Sequence, residues 1–122
     1  MKLRDFRYEL TTTHHDYYEL ASTLELYCHN AEIPPKQTNK ILAIFDNLAN
    51  IFDIELQMTD KDFISLTLTA SYSEQTGEAR LMSETDTIPD SREEFKAASA
   101  LILHIADDVT ADASHTLYFV KE

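Results

Sequence analysis

The chain predicts an α+β fold with the element order β-α-α-β-β-α-β, and three observations carry that expectation. Apolar and polar residues alternate at period two in Phe6–Leu10, Phe63–Tyr72, Glu78–Glu84 and His115–Lys121, the pattern of half-buried strands. Apolar residues recur at spacings of three and four in three other stretches, the pattern of helices with one buried face. Two of the strand runs are separated only by Ser73–Gly77, a segment of turn composition that predicts an antiparallel hairpin.

In chain order, Phe6, Tyr8 and Leu10 share one face of the first strand. Thr11–Thr13 end it, and Thr13 is the expected cap of a helix starting near His14. Tyr17, Leu20, Ala21, Leu24 and Cys28 then mark a first helix, which Ile33, Pro34 and Pro35 terminate because proline disfavours the helical region for the residue before it. Pro35 suits the first turn of a second helix, where its missing N–H is harmless. Ile41, Phe45, Leu48 and Phe52, flanked by Ile44 and Ile51, give that helix a buried face to about Phe52.

The hairpin follows. Asp90 or Ser91 is the expected N-cap of a third helix, with Glu93 and Glu94 at the positive end of its dipole. Phe95, Ala98, Leu101, Ile102, Ile105 and Val109 carry this helix to about Val109. Ala111–Ser114 read as a loop before the last strand.

With 122 residues, 43% hydrophobic content, six Phe and six Tyr, the chain supplies one domain, 1–122, with one core. Twenty-two Asp and Glu against ten Lys and Arg give a formal charge of -12. That charge repels phosphate backbones and anionic lipid, which argues against nucleic-acid and membrane partners; solubility is the simpler reading of the acidity and a basic protein partner the sharper one. The single cysteine, Cys28, lies in an apolar helical pattern and reads as a small core hydrophobe. The first residues, MKLRDFRYEL, lack an apolar signal region, and no window approaches a membrane span, so the expected location is cytoplasmic.

Glycine is nearly absent: Gly77 is the only one, where average usage would supply about eight. Phosphate-binding loops need glycine for close backbone approach, so no P-loop or dinucleotide fingerprint exists here.

The stretch ILAIFDNLANIF, Ile41–Phe52, resembles the N-box helix of GHKL (histidine-kinase-like) ATPase domains, in the branch of small bacterial anti-sigma factors that are also serine kinases. The order of elements over nearly the whole chain is similar to the same family. The resemblance implies a two-layer α/β sandwich on a mixed, mostly antiparallel sheet. It also implies ATP and Mg²⁺ as cofactors, with Asp46 as general base or its orienting equivalent and Asn50 as Mg²⁺ ligand. Glu84 or Asp86, in RLMSETDTIPD, falls near the position that contacts adenine. In EFKAASALILHIADDV, Ala98 and Ala100 stand where the family carries phosphate-binding glycines, and the lid from Asp86 to Ser91 is short.

The implied function is a cytoplasmic regulator of transcription that sequesters a sigma factor and phosphorylates a serine on an anti-sigma antagonist, with a possible homodimer through Phe6, Tyr8 and Leu10. The alternative keeps the fold without the chemistry, as a nucleotide-free pseudo-kinase that binds a protein partner. A third reading is an unrelated α+β domain, marked by long helices on opposite faces of the sheet or by unpaired hairpin strands. His14, His15 and Asp16 invite a metal reading, but adjacent helical residues point about 100° apart, and a polar helix start is the simpler account. No serine sits in a nucleophile elbow.

Overall fold

A computed structural model describes residues 6–11, 13, 16–58, 65–85, 100–111 and 115–121. Strand β1 (Phe6–Thr11) leads to helix α1 (Tyr17–Asn30) and helix α2 (Pro35–Met58), then to the hairpin β2 (Ser65–Ser73) and β3 (Glu78–Thr85). A helical segment, α3, at 100–105 precedes β4 (Asp108–Ala111) and β5 (His115–Val120). The strands form one sheet in the order β1-β2-β3-β5-β4, antiparallel at every pairing.

Two expectations about the order and pairing of elements change here. The third helix does not reach Val109. Its described part ends at 105, and Val109 lies in β4 opposite Tyr118. The switch occurs at Asp107, whose N–H donates to Phe119 O at 2.9 Å and whose carboxylate accepts the Lys121 N–H at 2.7 Å. The first, a strand-type backbone bond, takes the place of the next helical one, and the carboxylate bond ties Asp107 to the end of β5.

The sheet is also antiparallel rather than mixed. A single helical crossover from β3 to its neighbour would give a parallel pair. Here the crossover delivers β4, which runs parallel to β3 but lies one place further out, and β5 returns between them.

Capping differs at α1. Asp16, not Thr13, is the N-cap, its Oδ1 accepting the Glu19 N–H at 3.0 Å, while Thr13 and Thr11 share a hydroxyl hydrogen bond. Asp16 therefore serves as a helix start; His14 and His15 lie outside the described residues. At the other end of α1, Ile33 N–H donates to Cys28 O and Glu32 N–H to His29 O. This double bond pattern turns the chain through a left-handed residue, normally glycine. The residue is Glu32, with φ 60°. Pro34 O then accepts the Thr38 N–H, and Pro35 opens α2 as expected. The helix continues past Phe52 to Met58, through Glu55, Leu56, Gln57 and Met58, all good helix formers.

One face of the sheet carries Phe6, Leu10, Leu66, Leu68, Ala70, Ala79, Leu81, Tyr118 and Val120, which form a single core with Leu20, Leu24, Tyr27 and Cys28 of α1 and Ile41, Ile44, Phe45, Leu48 and Phe52 of α2. Both long helices thus cover the same face, and α1 and α2 run antiparallel. Each fully buried Leu or Ile contributes roughly 1.5–3 kcal/mol. Phe6 and Leu10, expected at a self-association edge, belong to this core. The opposite face carries Arg7, Glu9, Arg80, Met82, Glu84 and Phe119, with the Arg80 guanidinium 5.5 Å from the Phe119 ring centre. Among the described residues no helix is long and apolar enough to cross a membrane.

Candidate functional site

Asp46, Asn50 and Asp53 recur at intervals of four and three along α2, which places them on one helical face directed away from the sheet. All three are exposed. Facing them from α1 are Tyr17, Tyr18 and Ala21, and the two helices enclose a groove of about 360 Å³ floored by Phe45. Small side chains at Ala21 and Ala49 leave the concavity, since larger ones there would fill the seam between the helices. Tyr18 is 84% exposed at the rim.

Tyr17 fixes one end of the groove. Its ring packs edge-on against Phe52, with centres 6.3 Å apart, and its hydroxyl donates to Asp53 Oδ1 at 3.0 Å. Burial first, and then the bond to the Asp53 carboxylate, push the phenol's pKa upward. The hydroxyl therefore remains a donor throughout the ordinary pH range. Among the described lining residues there are two carboxylates, one amide, two phenols and no cation.

The predicted site residues are only partly brought together. Asp46 and Asn50 share the groove, as their spacing requires. Glu84 does not join them: strand alternation puts it with Arg80 and Met82 on the face of the sheet opposite the helices, where its Oε2 lies 3.4 Å from His115 Nε2. The helix-facing residue at that point is Ser83, buried and paired with Thr116. Tyr118, also buried, makes side-chain hydrogen bonds with Ser83 and Thr116; burial raises its pKa despite these bonds. Asp86, the lid to Ser91, and Ala98 lie outside the described residues, and Ala100 is an exposed helical position.

These residues fit Mg²⁺-ATP poorly. Oxygen donors from Asp46 and Asn50 suit a hard cation, but the neighbouring Asp53 adds negative charge where a triphosphate would need it neutralised. Among the described residues no group of three or more His, Cys, Asp and Glu is arranged to hold a metal. Cys28 is no nucleophile either: it is buried, and burial pushes its thiol up to about 11, against a smaller opposing effect of the Thr38 hydrogen bond.

Sequence reasoning missed Gln37. It is 2% exposed near the start of α2, and its Nε2 donates to Gly77 O at 2.7 Å and to Val120 O at 3.0 Å, tying the helix to the hairpin turn and to the end of β5. Nothing local marks it, because glutamine at a helix start is ordinarily solvated. The Tyr17–Asp53 pair was equally hidden. Its signal was the acid one turn beyond Asn50, on the face already identified.

The chain matches no protein-family model and no curated protein sequence.

Proposed function

We propose that the protein is a regulatory interaction module of the GHKL type, similar to anti-sigma factors, which binds a basic protein partner without using a nucleotide. The observation that carries this reading is the separation of Glu84, one of the two implied adenine contacts, from Asp46 and Asn50. Asp46 and Asn50 face the α1–α2 groove beside a further carboxylate, while Glu84 is held on the far side of the sheet. A bound nucleotide cannot span two faces of a sheet. Both long helices covering one face of the sheet and the paired hairpin support the GHKL element of the reading, while the antiparallel sheet departs from the mixed one that the resemblance implies. The net charge of -12 supports a basic partner, such as a sigma factor.

The active serine kinase is the second reading, favoured by the meeting of Asp46 and Asn50 at one groove. Calorimetric titration with ATP and with ADP, each with Mg²⁺, separates the two. The expected result is no binding at millimolar nucleotide. Micromolar binding that disappears in Asn50→Ala, with the fold intact by circular dichroism, would establish the kinase instead.

A further inference from the structure

We propose that the α1–α2 groove docks an amphipathic helix of the partner whose basic residues stand two turns apart. This rests on the interaction-module reading and names the surface that serves it. The groove runs between two antiparallel helices, a shape that accepts a third helix laid along it. Its floor is apolar, from Phe45, Ala21 and Ala49, and Tyr18 offers an exposed aromatic face at the rim.

The spacing of the carboxylates sets the register. Asp46 and Asp53 are seven residues apart on one helix, which separates them by roughly 10 Å along its axis. Two cations on the same face of a partner helix, also two turns apart, meet both carboxylates together. Asn50, between them, presents both a donor and an acceptor. A tyrosine face beside a carboxylate further favours a guanidinium, through cation–π attraction. A second copy of this chain is a poor occupant because each copy carries -12.

The test uses a fluorescent helical peptide of about 15 residues, bearing leucines on one side and two arginines two turns apart, titrated with the full chain at low salt. Asp46→Asn with Asp53→Asn removes two charges from the groove while leaving Tyr17 an acceptor. Glu9→Gln with Asp108→Asn removes two charges from the opposite face of the sheet. The expected result is a loss of about tenfold in affinity for the first pair and little change for the second. Tyr18→Ala and a peptide with one arginine moved to its other face should each weaken binding as well.

Equal losses for the two double variants, or none for the groove pair, would overturn the docking site. Neither outcome touches the nucleotide-free reading, which the Mg²⁺-ATP titration decides by itself. Thermal melts of all variants, expected to match the parent, exclude unfolding as the cause.

Discussion

The two halves of α2 use polar side chains in opposite ways. At its start, Gln37 is buried and donates to two main-chain carbonyls on different strands, and one turn further Lys40 Nζ lies 3.7 Å from Asp107 Oδ2 beside the β4–β5 pair. Toward its end, Asp46, Asn50 and Asp53 stand exposed along a groove. The first half locks the helix to the sheet; the second half is left open toward α1. The difference is set by what surrounds each side chain, not by polarity, since an amide appears in both places.

The largest test of this contrast is Gln37→Ala. It strands the Gly77 and Val120 carbonyls in a buried setting, and a loss of about 2–3 kcal/mol is expected from urea denaturation. A loss no greater than that of a surface substitution would show that the N-terminal half is not locked. Gln37 Oε1 is buried without a hydrogen-bond partner among the described residues, so the side chain contributes less than a fully satisfied amide.

Tyr17→Phe probes the hinge between locked core and open groove. Removing the hydroxyl donated to Asp53 should cost about 1 kcal/mol at neutral pH. The pH dependence follows from the raised phenol. A folded-state pKa above the unfolded value of 10.0 means that this contribution is fully present below pH 10 and is lost as pH rises above it. Denaturation midpoints for the parent should therefore fall more steeply above pH 10 than those of Tyr17→Phe. Parallel curves would remove Tyr17 from the account.

Glu32→Gly sharpens the locked end from the other direction. A left-handed residue with a side chain carries a steric cost that glycine avoids, offset by glycine's greater freedom when unfolded. A net gain of about 0.5 kcal/mol is expected in thermal melts; a loss would mean that Glu32 makes contacts outweighing its strain. The smallest effect belongs to the open end. Asp46→Asn should change stability by less than about 0.5 kcal/mol, and a larger loss would show that the groove carries structural load.

Residues acting within a few positions of one another were legible in the sequence. The apolar spacing of α1 and α2, the break at Pro34 and Pro35, the hairpin around Gly77 and the shared face of Asp46 and Asn50 all follow from helical and strand periods and from turn chemistry. The N-cap was placed three residues early because both Thr13 and Asp16 have capping side chains, and the choice between them is settled where the helix packs. Val109 fits the helical pattern because an edge strand of four residues has too little length to show its own period.

Contacts between partners far apart in the chain had no local signature. Gln37 reaches Val120 across 83 residues, and Tyr17 reaches Asp53 across 36. The side of the sheet on which Glu84 falls depends on which face the helices cover. Alternation separates a strand's residues into two sets but does not say which set is buried when both contain polar groups, as Ser83 and Glu84 do. Periodicity is a property of the local backbone and can be read from a few neighbours. The meeting of remote polar groups depends on the packing of the whole core, which brings their backbones within hydrogen-bonding distance.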